Sequence, residues 1–152
     1  MIEVDEQFEV PAQAGVVWQM LADPYVVVDC VPGAAIVGQQ TDGSFDTVLN
    51  VKFGPMNIAF QARAVLDLVP DARTGRLSAQ GKDKQGGARF AATATFGVAD
   101  HPSGSGAIVS THGQVEISGR LASVIEGGAG IVVKRMSAEF ARCLSARLAA
   151  QS

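Results

Sequence analysis

Residues 58–68, which read IAFQARAVLDL, decide the fold class because apolar and polar positions alternate through most of the stretch. The polar positions are Gln61, Arg63 and Asp67. A period of two is the pattern of a β-strand that buries one face, so this stretch predicts a long strand. Its buried face is expected to consist of Ile58, Phe60, Ala62, Ala64, Leu66 and Leu68.

The same alternation continues on both sides of this strand and is interrupted by the turn signals Asp42-Gly43, Gly54-Pro55 and Gly86-Gly87. Strands that follow one another through tight turns form an antiparallel meander. Such a sheet is apolar on one face, and that face must be covered. The pattern predicts six consecutive strands, at 35–41, 45–53, 58–68, around 77–79, at 90–98 and at 109–117.

Other patterns stand at the two ends of the meander. An alternating strand over residues 2–10 precedes Pro11, where we expect a helix to start, and Pro24 begins a second short helix that ends near Cys30. From Gly119 onward the period changes to about 3.6, which predicts one amphipathic helix ending at Gln151-Ser152. Its apolar stripe is Leu121, Ile125, Val132, Met136, Phe140, Leu144 and Leu148.

These elements predict an α+β fold. A curved antiparallel sheet of about seven strands is expected to wrap around the long C-terminal helix, because no other element is large enough to cover the apolar face. Two short helices follow the first strand. We expect a single domain over residues 1–152.

The composition excludes several classes of function. The chain has 152 residues, a formal net charge of −3 and scattered basic residues, so nucleic acid is not expected as a partner. No apolar run approaches the roughly 20 residues of a membrane span, and the acidic N-terminus lacks a signal-peptide pattern. Two cysteines cannot form a disulfide framework, and their spacing does not suit a metal site. We therefore expect a cytoplasmic protein without a metal or another cofactor.

Small residues are frequent on the face of the sheet that the long helix should cover. Because protein interiors leave few voids, small side chains there either let the helix approach closely or leave a cavity. Gly127, Gly128 and Gly130 weaken the start of the helix by roughly 1 kcal/mol each, which would suit a mobile entrance. The combination favours a cavity, with a filled core as the alternative. The small residues are Ala62, Ala64, Ala79, Ala92, Ala94, Ala107 and Gly113.

Motifs for catalysis are scarce. GGAG at 127–130 does not continue into a dinucleotide-binding fingerprint, because Val133 stands where the third glycine is required. His101 and His112 are expected on a loop and on the outer face, which argues against histidine catalysis and zinc. Glu6 is a carboxylate at an apolar position of the first strand. It either lies at the solvated end of an edge strand or serves as a polar anchor for a ligand.

The segment DCVPGA at 29–34 allows two interpretations of Cys30. The cysteine is either a reactive thiol in a strained loop or a buried residue at a helix end, with Pro32-Gly33 turning the chain into the sheet. No Lys, Arg or His is close in sequence to lower the pKa of the thiol, which favours the buried residue. Cys143 lies beside the apolar stripe and is expected to be a packing residue.

Several short segments resemble one known family in their order along the chain. They are FEVPA at 8–12, Val17-Trp18, LADP at 21–24, CVPGA at 30–34, Asp42-Gly43, Gly54-Pro55 and GRLA at 119–122. This order resembles the carbon monoxide dehydrogenase G-subunit family, which belongs to the START-like, polyketide cyclase/SRPBCC superfamily. The resemblance covers essentially the whole chain. It implies a helix-grip fold with an apolar cavity between the sheet and the C-terminal helix.

The resemblance also implies a role. Members of the family are encoded with molybdenum hydroxylases of the carbon monoxide dehydrogenase type and are regarded as accessory proteins that act at the membrane without catalysing. Those hydroxylases pass electrons to a respiratory chain, so a quinone-like or other lipid ligand is expected. Many relatives continue into a linker and an apolar or amphipathic tail, whereas this sequence stops at Ser152. The resemblance therefore implies peripheral contact at the inner face of the membrane without implying a tail.

We therefore expect a non-enzymatic accessory protein that binds a hydrophobic small molecule or lipid. One alternative is a cyclase or hydrolase of the same superfamily, for which Glu6, Asn50 or Cys30 would have to point inward. The other is a docking module with a filled core that binds a hydroxylase subunit. The predicted cavity wall is Leu49, Val51, Phe53, Phe60, Ala62, Phe90, Ala92, Val115, Ile125, Val132 and Met136.

Overall fold

A computed structural model describes residues 1–151, without the side chains of Val124, Glu126 and Gln151. The predicted helix end at Gln151-Ser152 is therefore described only as far as Gln151. The elements are β1 (Ile2–Val10), α1 (Ala14–Leu21), α2 (Pro24–Asp29), β2 (Ala34–Gln39), β3 (Phe45–Phe53), β4 (Met56–Val69), β5 (Thr74–Asp83), β6 (Arg89–Asp100), β7 (Ala107–Ser118) and α3 (Ala122–Gln151).

The seven strands form one antiparallel sheet in the order β1-β7-β6-β5-β4-β3-β2. Strands β2 to β7 are a meander, and β1 pairs along its whole length with β7, from Ile2 opposite Val115 to Val10 opposite Ala107. Helix α3 crosses the sheet and contacts β1, β3 and β7. The predicted α+β helix-grip architecture, with its seven strands and long C-terminal helix, is confirmed.

Strand β5 is longer than the short strand that Leu77 and Ala79 predict. Gly75 and Gly81 interrupt its apolar alternation, and each lies opposite a phenylalanine of β6. The ring of Phe96 covers Gly75, and the ring of Phe90 covers Gly81, so that a β-carbon at either glycine would overlap a ring. Glycine therefore lets an aromatic side chain fill the face, at the cost of the sequence signal for the strand.

Turns and helix starts agree with the sequence pattern except at Pro11, which lies in a bend. Helix α1 begins three residues later, at Ala14. Helix α2 begins at Pro24, and the Asp23 carboxylate accepts the Tyr25 amide at 3.0 Å as its N-cap. In the turn at Asp42-Gly43, the hydroxyl and amide of Ser44 donate to the Asp42 carboxylate and hold its pKa below the ordinary value.

Two packed clusters hold α3 on the sheet, one at each end of the helix. Near its start, Ile125 and Ala129 are buried together with residues of β3 and β4. Near its end, Leu144 and Leu148 are buried against α1, α2 and the ends of β6 and β7. Between these clusters the inward residues of α3 are only half-buried. The helix is thus fixed at both ends and spans a less densely packed middle.

Cys30 and Cys143 form a disulfide, with their Cα atoms 5.5 Å apart. The prediction of Cys143 as a separate packing residue is therefore wrong, whereas Cys30 is 3% exposed at the end of α2, as expected of a buried helix-end residue. Cys143 precedes the buried Leu144, so the apolar contact between α3 and α2 also brings the two sulfur atoms together. The pairing spans a sequence separation of 113 residues, which gives no spacing signal.

Candidate functional site

The half-buried middle of α3 faces an internal cavity of about 330 Å³. Its floor is the concave face of the sheet, where Ala64, Ala79 and Ala92 lie opposite one another on β4, β5 and β6. Three adjacent methyl groups do not reach the helix, while larger side chains fill the space at both ends of α3. Of the two interpretations of the small residues, the structure shows the cavity.

Ten of the eleven predicted wall residues line this cavity. They are Leu49, Val51, Phe53, Phe60, Ala62, Phe90, Ala92, Val115, Val132 and Met136. Ile125 does not line it, because the first turns of α3 pack closely on the β5–β6 turn and bury Ile125 with Ala88 and Ala129. The role of all these residues in ligand binding stays a prediction.

The sequence pattern missed the side of the wall that α2 contributes. Val27, Val28 and Val31 line the cavity there, followed by Ala34 at the start of β2. Consecutive valines in a helix of six residues have no periodicity that shows which of them face a cavity. On α3, Ser137 and Phe140 also line it. Phe140 could have been found, because it belongs to the same apolar stripe as Met136.

The cavity wall contains no ionisable side chain. Thr47, Thr111 and Ser137 bring hydroxyl groups to it. The Thr47 hydroxyl donates to the carbonyl oxygen of Ala62 at 3.2 Å and is thereby satisfied. Within the described part of the chain, the side chains of Thr111 and Ser137 make no hydrogen bond to another residue. These two hydroxyls are thus available to a ligand.

The three residues that a catalytic alternative requires do not line the cavity. Glu6 lies on β1 opposite Thr111 and is half-buried, but the residue of β1 that lines the cavity is Val4. Asn50 is exposed on β3, and Cys30 is bonded to Cys143. The role of Glu6 as a polar anchor stays a prediction.

Both histidines lie away from the cavity. Nε2 of His101 is 3.0 Å from the Glu9 carboxylate, and Nδ1 of His112 bonds the Asp5 carboxylate across β7 and β1. Over the described residues there is no group of three or more His, Cys, Asp or Glu side chains that could hold a metal ion.

Charge is distributed unevenly between the two ends of the molecule. The turns β3–β4, β5–β6 and β7–α3 lie at one end, where the Leu121 amide donates to the Gly87 carbonyl at 2.8 Å. We call this end, residues 1–4, 50–59, 80–91 and 114–136, the basic end. By sequence it carries seven basic and four acidic residues, whereas the rest of the chain carries five basic and eleven acidic ones.

The basic residues of this end are Lys52, Lys82, Lys84, Arg89, Arg120, Lys134 and Arg135, and all seven are exposed. None of them forms an ion pair with another residue in the part of the chain that the structure describes. Their charge is therefore open to a partner. None of the described helices combines the length and the apolarity that crossing a bilayer requires.

The fold and the cavity define a protein of the START-like, helix-grip class. The chain belongs to the carbon monoxide dehydrogenase G-subunit (CoxG) family, whose model matches residues 7–149. This match confirms the family that the short sequence segments resemble.

Solved structures share this fold at low sequence identity. A conserved protein from Geobacillus kaustophilus is 16% identical, with a TM-score of 0.79 over 97% of this chain and 95% of the other. A START superfamily protein from Mycobacterium smegmatis is 15% identical, with a TM-score of 0.66 over 99% of each chain. The Zhui aromatase/cyclase from Streptomyces sp. R1128 is 17% identical, with a TM-score of 0.63 over 96% of this chain and 92% of the other. At these identities the likeness shows the fold alone. No curated protein matches the chain.

Proposed function

We propose that this protein is a non-enzymatic accessory protein that binds a lipid or a quinone-like molecule in the cavity under α3. The observation that carries the proposal is the wall of this cavity of about 330 Å³, which is apolar and has no ionisable group. A general acid or base has to lie within hydrogen-bond reach of its substrate. Holding an apolar molecule requires only apolar area, which is what the wall supplies.

The wall also supports a particular ligand chemistry. Apolar burial contributes about 25 cal/mol per Å², so a ring or a chain is held without specific polar partners. The hydroxyls of Thr111 and Ser137 could each donate to a carbonyl oxygen, which a quinone ring presents and a plain hydrocarbon does not. The cavity volume lies at the lower end of the roughly 300–1,000 Å³ typical of small-molecule sites. A ring and the first part of a tail would therefore fit inside.

The partner that we propose is a molybdenum hydroxylase of the carbon monoxide dehydrogenase type. The support is membership of the CoxG family, whose full name couples it to that enzyme. In this role the protein would deliver its ligand to the hydroxylase or take it away.

Peripheral contact with the inner face of the membrane is the second part of the proposal. A lipid or quinone resides in the bilayer, so a carrier has to reach the surface of the bilayer to collect it. Anionic lipids attract exposed Lys and Arg by about 1 kcal/mol each near the surface. The seven exposed basic residues of the basic end supply this attraction from the domain itself.

The direct test is to identify what the protein carries. Protein purified from its native host is extracted with organic solvent, and the extract is analysed by mass spectrometry for quinones and lipids. We expect one of them at close to one molecule per chain. An extract that stays empty, even after the protein has been incubated with native membranes, would contradict the proposal.

A pair of neighbouring variants tests whether the ligand lies in the cavity. Ala92 lines the cavity, whereas Ala91 is exposed on the outer face of β6. Ala92→Trp should fill the space and lower ligand binding by about tenfold or more, which corresponds to roughly 1.4 kcal/mol. Ala91→Trp should bind like the parent protein. The measurement is the amount of ligand co-purified per folded chain, and equal loading of both variants would place the ligand elsewhere.

The two alternatives have less support. A docking module is expected to have a filled core, which does not fit the cavity under α3. A cyclase or hydrolase needs a polar group facing its substrate, and neither Glu6 nor Asn50 lines the cavity.

A further inference from the structure

The disulfide between Cys30 and Cys143 joins two parts of the cavity wall that the sheet does not form. Cys30 caps the C-terminus of α2, between the lining residues Val28 and Val31. Cys143 lies on α3, about one helical turn beyond the lining residue Phe140. The bond therefore fixes the distance between α2 and α3 at one side of the cavity.

A second, more open depression of about 380 Å³ lies outside this side of the cavity. It is bordered by Tyr25, Val26, Val28, Asp29, Ala34, Ala35, Ile36 and Arg147. Val28 and Ala34 line both the depression and the internal cavity, so they form the partition between the two spaces. A ligand that passes here has to move the segment from α2 to β2 away from α3. We call this boundary the seam.

The disulfide is the stronger of two polar or covalent links across the seam. The other is the ion pair of Arg147 with Asp29, whose side chains are 38% and 67% exposed. Exposed ion pairs contribute little and re-form readily, so this pair does not prevent opening. A covalent bond does prevent it, because local opening of α2 from α3 would have to stretch the bond.

We propose that the Cys30–Cys143 disulfide is a redox latch on the ligand cavity. Oxidised, it holds α2 against α3 and keeps the seam closed; reduced, it lets the seam open so that ligand enters and leaves. The inference rests on the proposed function, since the site that it regulates is the proposed ligand cavity. In a protein expected in the cytoplasm, where lasting disulfides are rare, a reversible bond suits a switch better than a permanent staple.

The chemical step is thiol–disulfide exchange with a dithiol reductant. Cys30 is 3% exposed, whereas Cys143 is half-buried, so a thiolate of the reductant reaches the Cys143 sulfur first. The new bond is a mixed disulfide with Cys143, and the Cys30 sulfur leaves as a thiolate that takes up a proton. The second thiolate of the reductant then displaces the Cys143 thiolate, which is also protonated. The dithiol loses two electrons and becomes a disulfide, and the protein gains two thiols.

The test measures ligand exchange in the two redox states. The probe is N-phenyl-1-naphthylamine, an uncharged fluorophore, and its uptake and release are followed by stopped-flow fluorescence with oxidised and dithiothreitol-reduced wild-type protein. We expect both rates to rise by about tenfold or more on reduction, because a closed covalent loop no longer restrains the seam. Cys30→Ala/Cys143→Ala should exchange the probe at the fast rate with and without dithiothreitol.

Each outcome of this test bears on one proposal or on both. Probe binding that Ala92→Trp abolishes, at rates independent of the redox state, would overturn the latch and leave the cavity proposal intact. No probe binding in either state would contradict both. Hydrogen exchange of the wild-type protein separates a latch from a mere staple and needs no variant to fold. Faster exchange confined to α2 on reduction supports the latch, whereas uniformly faster exchange, including the centre of β6, would overturn it.

Discussion

At the scale of single residues, Gly33 shows how the chain turns from α2 into the sheet. Its φ is +80°, in the left-handed region that favours glycine. A β-carbon there would also overlap the carbonyl oxygen of Asn50, whose amide donates to the Gly33 carbonyl at 2.9 Å. Pro32-Gly33 predicts the turn, but the contact with Asn50 joins separate strands and leaves no local pattern.

Gly33→Ala should therefore destabilise the protein more than its backbone conformation alone requires. We expect a loss of about 2–4 kcal/mol in the free energy of unfolding, from left-handed strain and from the overlap with Asn50. Gly43 is the matched control, because its φ is +90° but open space surrounds it. Gly43→Ala should cost only about 1–2 kcal/mol. Urea denaturation of both variants measures the difference, and equal losses would mean that the close approach to Asn50 is not required.

The residues of the cavity wall differ in how far the sequence reveals them. Inward positions on long strands, such as Phe60, Ala62 and Ala92, follow from alternation alone and do line the cavity. Thr111 and Ser137 escape notice because a hydroxyl residue is equally common on an exposed face. The Cys30–Cys143 bond also escapes notice, since a pair of distant cysteines has no preferred spacing. Local periodicity shows which face a residue is on, and it does not show what lies opposite.

At the scale of elements, periodicity predicts the order and type of every long strand and helix, because one face of each is buried. It fails at β5, where Gly75 and Gly81 yield their space to rings of β6. The glycines of α3 present the opposite case. Gly127, Gly128 and Gly130 suggest a weak start of the helix, yet α3 runs without a break from Ala122. No atom lies within 4 Å of a β-carbon built on any of the three.

Gly127→Ala/Gly130→Ala should accordingly stabilise the protein. Each alanine adds about 1 kcal/mol in a helix interior, which in a domain of this size raises the melting temperature by about 2–4 °C per kcal/mol. If the seam controls access to the cavity, uptake of N-phenyl-1-naphthylamine should stay within about twofold of the parent rate, because α3 keeps its contacts with α2. Calorimetry and stopped-flow fluorescence check the two effects. A clear slowing of uptake would instead make the glycine segment the hinge.

At the scale of the whole molecule, two properties arise only when the elements assemble. The cavity needs the alanines of three strands to lie side by side beneath the middle of one helix. The basic end needs three turns and half of α3 to meet, although their basic residues are spread from Lys52 to Arg135 in the sequence. A chain with a net charge of −3 thus presents a positive surface that its composition conceals.

This uneven charge predicts which end of the molecule meets an anionic membrane. Lys84 and Arg120 are exposed in adjacent turns of the basic end, so Lys84→Glu/Arg120→Glu should leave stability nearly unchanged. Binding to phosphatidylcholine vesicles that contain phosphatidylglycerol should fall by about tenfold or more, since each basic residue contributes about 1 kcal/mol near such a surface. Co-sedimentation at low salt measures the loss, and added salt should weaken parent binding as well.

The control for this prediction reverses two charges elsewhere. Arg76 and Arg142 are exposed and lie outside the basic end, so Arg76→Glu/Arg142→Glu changes the net charge of the protein by the same amount. If orientation determines binding, this variant should sediment with vesicles almost as well as the parent protein. An equal loss in both variants would show that only total charge matters, and the basic end would no longer be the surface from which the carrier collects its ligand.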